Sequence, residues 1–313
     1  MATNVTSPPH RLAPALVLLL LGFVWGSSFI LMKIGLFARD GSALLPPIEL
    51  AALRVTIAGA TLLPVTLRHA RHIVCDRWRW IAGVGIIGSF IPALLFATAQ
   101  VKLPSATAGM LNALSPLWTL IIGFAAFATA VQPRQIVGII VGLLGTVWLI
   151  WAQAGTDAPG AALGADTLTP ALMLVVATVC YGVSVNITRE KLSGIPAPAI
   201  AGCSLGLVAL PALGIVLFNG TPGLIAGHPD GMRALLAVGA LAAIGTAGAL
   251  VLFNQLIAWT NAVVAASVTY IIPIFAAMWG WWDGELLTYQ QLLAGGSILL
   301  GVWITKKRPE TTN

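Results

Sequence analysis

The sequence predicts an all-α membrane protein of ten transmembrane helices, arranged as two inverted five-helix repeats around a central cavity. Three observations carry that expectation. Charged residues make up 8% of the 313-residue chain and apolar ones 58%, whereas an ordinary soluble domain is roughly a quarter charged. Ten apolar stretches are long enough to cross a bilayer, which takes about 20 helical residues. The two halves also repeat each other. Pro14, Ala15, Leu16, Leu18, Gly26 and Ser28 recur 156 residues later as Pro170, Ala171, Leu172, Leu174, Gly182 and Ser184. Phe96, Pro116 and Gly123 recur at an offset of 157 as Phe253, Pro273 and Gly280, so one residue slips in a loop.

Taken in order, residues 1–12 read as a cytoplasmic tail and 13–152 as the first five-helix repeat, with spans near 13–35, 47–67, 79–99, 104–127 and 134–152. Residues 153–169 (QAGTDAPGAALGADTLT) read as a Gly/Ala-rich extracytoplasmic linker. The second repeat, 170–305, has spans near 170–189, 197–218, 233–257, 261–282 and 289–305, and 306–313 is a second cytoplasmic tail. Helices are required because lipid offers backbone groups no partners, and alternating strand patterns are absent. The first span, with Arg11 ahead of it, resembles a signal peptide. It runs past the usual apolar length, lacks a clear small-x-small cleavage site, and matches residues 170–189, which assigns it to the mature fold.

The net charge of +6 would point to nucleic acid in a soluble protein, but here position matters more than sum. With the N-terminus inside, cytoplasmic segments carry Arg11, Arg68, Arg71, Arg77, Arg79, Arg134, Arg189, Lys191, Lys306, Lys307 and Arg308, against Lys33, Arg39, Lys102 and Arg233 outside. The positive-inside rule therefore places both termini in the cytoplasm of a multi-pass protein. Five spans per copy is an odd number, so the copies run in opposite directions across the membrane. Transporters with a site between inverted repeats are built in this way.

Enzyme chemistry is missing. His10, His69, His72 and His228 fall in tails or loops, and no HExxH, strand-borne GxSxG or GxxxxGK[ST] pattern occurs. Cys75, Cys180 and Cys203 lack paired spacing and read as free thiols. No metal and no cofactor is expected. None of the ten acids falls in mid-span, which argues against proton-coupled efflux of lipophilic cations and toward neutral or zwitterionic solutes.

Candidate site residues follow from what is costly or repeated in the spans. Arg54 is the one cation at depth, read either as snorkelling and pairing with carbonyls or an acid, or as attracting a substrate carboxylate; Lys33 reads as an interface anchor. Trp25, Ser28 and Met32 share one helix face, and Tyr181, Ser184 and Thr188 repeat it, as helix packing or as cavity lining. Asn112, Asn186 and Asn254 are the deepest amides, and Tyr270 stands three residues before Pro273. Pro92, Pro116, Pro211 and Pro273 are expected to interrupt helices. Only Pro116 and Pro273 are matched, which marks them as hinges at the repeat interface.

WGSSF in the first span, LAALR ending at Arg54, ATAGMLNALSPLW, and AASVTYIIPIFAAMWGWWDGE with GGSILLGVWI together resemble the ten-helix EamA-type branch of the drug/metabolite transporter superfamily. The resemblance covers nearly the whole chain. It implies inverted five-helix repeats around a cavity, with Trp25, Ser28, Asn112, Tyr181, Asn254 and Tyr270 lining it. Glu285 matches the acid that often ends the family's ninth helix, while its repeat counterpart is Ala128. The resemblance further implies a permease of the bacterial inner membrane that exports amino acids, bulky or aromatic ones included, or related metabolites by alternating access. Its partners are a small neutral or zwitterionic metabolite and the lipid bilayer, with a monomer sufficient and no nucleic acid. A multidrug or other metabolite permease is the alternative within transport, and a scaffold or lipid-handling protein is the alternative outside it.

Overall fold

The computed structural model describes residues 12–70, 77–127, 131–157, 165–260, 262–265 and 268–305. The expected tail residues 1–11 and 306–313, residues 158–164 of the expected linker, Cys75, Ala128 and Asn261 lie outside the described residues. Among the described residues the regular structure is helical, apart from one isolated bridge between Phe37 and Ala43.

The first half contains α1 (Ala13–Leu36), α2 (Pro47–Thr61), α3 (Leu63–Arg68), α4 (Trp78–Gly85), α5 (Ile91–Ala99), α6 (Ser105–Asn112), α7 (Ser115–Phe127) and α8 (Pro133–Asp157). The second contains α9 (Ala165–Lys191), α10 (Ala197–Phe218), α11 (Thr221–Gly227), α12 (Gly231–Ala242), α13 (Ala249–Trp259), α14 (Ala262–Ala265), α15 (Val268–Trp282) and α16 (Tyr289–Thr305). Single π-turns, Ile86–Phe90 and Ala243–Gly248, join α4 to α5 and α12 to α13. Helix enters the stretch read as linker from both sides, since α8 continues to Asp157 and α9 begins at Ala165.

Proline explains where many segments start. Pro14, Pro47, Pro64, Pro116, Pro133, Pro198 and Pro222 all occupy the first or second position of a helix, where the missing N–H would have no intrahelical partner. Pro64 thereby separates α3 from α2. Of the four prolines expected to interrupt helices, Pro116 opens a new segment and Pro92 follows the π-turn within the run Trp78–Ala99, whereas Pro211 and Pro273 lie inside α10 and α15, which continue through them. The break before Pro116 is a turn at Ala113–Leu114.

Among the described residues, seven helical runs are long and apolar enough to cross a membrane: Ala13–Leu36, Trp78–Ala99, Ser105–Phe127, Pro133–Gln153, Leu168–Lys191, Ala197–Phe218 and Gly231–Ile257. Val268–Trp282 is a shorter apolar helix. The outside of the bundle is itself apolar. Leu16, Leu144, Leu210 and Trp303 are each more than half exposed, an arrangement that suits lipid and not water. The chain is a multi-pass membrane protein.

Helix packing follows the sequence repeat. α1 packs on α15 as α9 packs on α7; α9 packs on α5 as α1 packs on α13; and α8 with α16 and α2 with α10 pair directly with their own counterparts. The two π-turns also correspond, with Gly88 and Gly245 lying 157 residues apart at their centres. Outside the helices, Asp40 closes a tight turn by accepting from the Ser42 hydroxyl at 2.7 Å and the Ser42 N–H at 2.9 Å, bonds that hold its carboxyl below the usual carboxylate range.

Candidate functional site

Small residues set the crossings around which the candidate site is built. A Cβ at Gly26 would lie 2.9 Å from Ile272 O on α15, and one at Gly182 would lie 2.9 Å from the Thr119 N on α7. Both positions face backbone, so glycine is what lets α1 and α9 approach their partners. On the opposite side Ser28 lies against Gly245 and Ser184 against Gly88, at the two π-turns. Ser28 is buried and its Oγ donates to Val24 O at 3.2 Å. Its observed contacts are thus with helix and not with open space.

The wider π-turn leaves a carbonyl free for a side chain. The Trp25 Nε1 donates to Gly245 O at 3.0 Å, and its ring packs on Phe253 with centroids 5.4 Å apart. The matched pair in the other half is Tyr181 on Phe96, at 6.3 Å. Phe29 also packs on Phe96, with centroids 5.8 Å apart. Trp25→Phe should keep the stacking and orphan the Gly245 carbonyl, costing about 1 kcal/mol. Melting of the purified variant checks this, and an unchanged melting temperature would mean that the indole bond contributes nothing.

Arg54 lies half-buried on α2. Its Nε donates to Thr246 Oγ1 at 3.3 Å, and that hydroxyl donates to Leu241 O at 3.1 Å. The Tyr181 hydroxyl is near enough to interact with its charge. No acid pairs with Arg54 among the described residues, because Glu49 is turned away to accept from Thr221 Oγ1 at 2.9 Å. The structure therefore brings Trp25 and Arg54 to one π-turn, through Gly245 and Thr246. Thr246 went unnoticed in the sequence, where the AIGTAG run offers only a cluster of small residues as a signal.

The remaining candidates are less tightly linked to that group. Asn112 ends α6 half-buried, and its side-chain amide has no partner among the described residues. Tyr270, half-buried near the start of α15, packs against the apolar core. Asn254 falls on α13, and its side chain lies outside the described residues. Asn186 ties helices together, its Nδ2 donating to Thr119 O and Gly182 O, both at 2.9 Å. Among the described residues no group of His, Cys, Asp and Glu could hold a metal. Among the described residues Cys180 and Cys203 form no disulfide, and the Cys203 Sγ lies 3.5 Å from His69 O.

A second polar cluster closes the C-terminal end of α1. Lys33, read from sequence as a simple anchor, instead pairs with Asp283 at 2.5 Å and with Glu285 at 3.0 Å. Glu285 also accepts from the first backbone N–H groups of α6, Ser105 at 2.8 Å and Ala106 at 3.1 Å. One carboxylate thus joins α1, α6 and the end of α15. Beside it lies a cavity of about 500 Å³ whose polar lining includes Gln100, Lys102 and Arg233.

The sequence profile of the EamA-like transporter family matches residues 12–151 and again residues 168–306. The chain belongs to that family. Membership makes this EamA-like protein a transporter and not an enzyme, and the double match shows that one family unit occurs twice in the chain. Among curated relatives, the aromatic amino acid exporter YddG of Ancylobacter novellus is 30% identical over 58% of this chain, and the match spans 62% of that exporter's length. The uncharacterized inner membrane transporter YedA of Escherichia coli K12 is 26% identical over 89% of this chain and 86% of its own. A probable amino-acid metabolite efflux pump of Salmonella typhimurium is 26% identical over 64% of this chain and 61% of its own. A crystal structure aligns with a TM-score of 0.58 at 20% identity, covering 94% of this chain and 96% of that one, a likeness that concerns the fold.

Proposed function

We propose that this EamA-like transporter exports amino acids, aromatic or bulky neutral ones foremost, from the bacterial cytoplasm by alternating access. The observation that carries the reading is the matched pair of aromatic contacts, Trp25 on Phe253 and Tyr181 on Phe96, with the half-buried Arg54 sharing the Ala243–Gly248 π-turn with Trp25. Aromatic walls with one cation suit a solute that has an apolar body and a carboxylate. Names among the relatives, an aromatic amino acid exporter and an amino-acid metabolite efflux pump, point the same way.

In this reading the ten apolar stretches form ten spans in two inverted copies, with both termini in the cytoplasm of a cell bounded by an inner membrane. The exchange symmetry of the helix contacts, the corresponding π-turns and the charge asymmetry of the loops support it. Trp25, Arg54, Asn112, Tyr181, Asn254 and Tyr270 line the cavity, with Ser28 packed just behind. The turn before Pro116 and the Pro273 position act as hinges. A monomer holds every part of this site. Efflux of lipophilic cations is disfavoured because no acid stands in mid-span.

Purified protein in liposomes should exchange labelled phenylalanine or tryptophan in a counterflow assay, with little dependence on an imposed proton gradient. Failure to move any member of a broad amino-acid panel would sink the proposal.

A further inference from the structure

We infer that the site recognises its substrate by the carboxylate and makes no demand on the amine, so that aryl 2-hydroxy and 2-oxo acids are carried as monoanions whose export is driven by the membrane potential. The inference rests on the reading of the Arg54 cavity as a substrate site and names the class of molecule it admits.

The first observation is the state of the guanidinium. Its Nε is engaged by Thr246, but its two Nη groups have no hydrogen-bond partner among the described residues, and the residue keeps part of its surface open. A guanidinium presents its donors as a planar fork that fits a carboxylate with two parallel bonds. Here the two Nη groups have no protein partner among the described residues and remain able to take a carboxylate. Water is a poor substitute in that setting, where the low dielectric strengthens a direct ion pair.

The second observation is where the acids are, and the sequence fixes it for all ten. Glu49 is held by Thr221, Asp283 and Glu285 by Lys33, Glu190 lies beside Arg189, and Asp230 accepts from Arg39 N–H at 2.8 Å. Asp40 lies in a turn, Asp157 and Asp166 at the ends of α8 and α9, and Asp76 and Glu310 between or beyond the apolar stretches. Among the described residues no carboxylate pairs with Arg54, and the buried acid on its own helix, Glu49, is bonded to Thr221. The Arg54 charge repels an ammonium, and the Asn112 amide is a neutral acceptor.

These two facts fix the charge balance of a cycle. A zwitterion crosses with no net charge, so voltage does not bias its distribution. A monoanion crosses with its carboxylate on Arg54, and the carrier returns with the guanidinium unpaired. Each cycle then moves one negative charge out. A membrane potential contributes about 2.3 kcal/mol per elementary charge per 100 mV, so an inside-negative cell expels the anion with a bias of roughly tenfold per 60 mV. No coupling proton is needed, and no mid-span carboxylate is present to carry one.

The test uses wild-type protein in proteoliposomes with a potassium diffusion potential, labelled phenyllactate and phenylalanine, and phenylalaninamide as the competitor that lacks a carboxylate. Expected are phenyllactate uptake above that of protein-free vesicles, accumulation of about tenfold per 60 mV of inside-positive potential, a phenylalanine distribution indifferent to voltage, and no competition by the amide. Arg54→Gln should abolish phenyllactate movement, with Arg54→Lys restoring part of it. If neither variant inserts, competition on the wild-type protein decides alone. Equal competition by the amide, or a phenyllactate distribution that ignores voltage, overturns the inference. Movement of phenylalanine without phenyllactate overturns it too, yet leaves the amino-acid reading standing. Voltage-driven phenyllactate with no amino acid moved supports the inference and sinks the amino-acid reading.

Discussion

Glu285→Ala is expected to destabilise the purified protein by about 3 kcal/mol, because one carboxylate makes two charge-assisted bonds to backbone N–H groups and one to Lys33. The Glu285 side chain is only 7% exposed, so water cannot fully replace it, and alanine leaves the Ser105 and Ala106 N–H groups orphaned at the start of α6. Lys33 suffers less. Its side chain is 32% exposed and it keeps Asp283, which is 39% exposed, so that pair is discounted for solvent. The expected order of melting temperatures is therefore wild type, then Lys33→Ala, then Glu285→Ala, with the last several degrees below the first. Glu285→Gln should fall between, retaining one acceptor oxygen but losing the charge. The two alanine changes should also be non-additive, since removing Lys33 costs less once its partner is gone. Melting curves with and without both changes check this. Equal melting of Glu285→Ala and wild type would show that the cluster is cosmetic.

That cluster illustrates what a sequence reader can and cannot recover. Lys33 and Glu285 are 252 residues apart, and nothing local to either announces the other. The apolar stretches were readable because lipid imposes length and composition on each span separately. The Gly26 and Gly182 crossings were readable because duplication puts the same small residue at two places where backbones meet. The prolines divide by context: Pro116 follows the turn that interrupts α6 and α7, Pro92 follows a π-turn within one helical run, and Pro211 and Pro273 are accommodated inside α10 and α15. The π-turns had no pattern beyond matched glycines at 88 and 245. As a result the bond from Trp25 to Gly245, and the hold of Thr246 on Arg54, emerged only in three dimensions. The glycines of GIIVG at 138–142 contact α16 and α7, and those of GCSLG at 202–206 contact α3, so both stretches serve packing within the chain.

The largest effect expected of any single substitution is at Gly301, in the seam between α8 and α16. Lipid tails are as apolar as leucine, so two helices in a membrane gain little by hiding apolar surface from each other. They associate through close packing and hydrogen bonds. In this seam a Cβ at Gly301 would lie 2.6 Å from both Gly138 O and Gly142 Cα, and one at Gly145 would lie 2.9 Å from Ile298 N. Each obstacle is backbone, which cannot rotate aside as a side chain can. Gly301→Leu must therefore push the helices apart. Separation would also strain the polar ties along the seam, Gln135 Nε2 to Thr305 O at 3.3 Å and Gln291 Nε2 to Gln153 Oε1 at 2.8 Å, the latter shared with Thr107 Oγ1 at 2.8 Å. Overpacking usually costs about 1 to 3 kcal/mol. With backbone on the far side and buried amides losing partners, the upper end or beyond is expected, enough to remove most folded protein from the membrane. Gly296→Leu supplies the control, because that glycine lies on the same helix with nothing within 4 Å of its would-be Cβ. Yield and melting temperature of the two leucine variants should diverge sharply, with Gly296→Leu near wild type. If both behave alike, the close approach of α8 and α16 does not hold the two halves of the chain together.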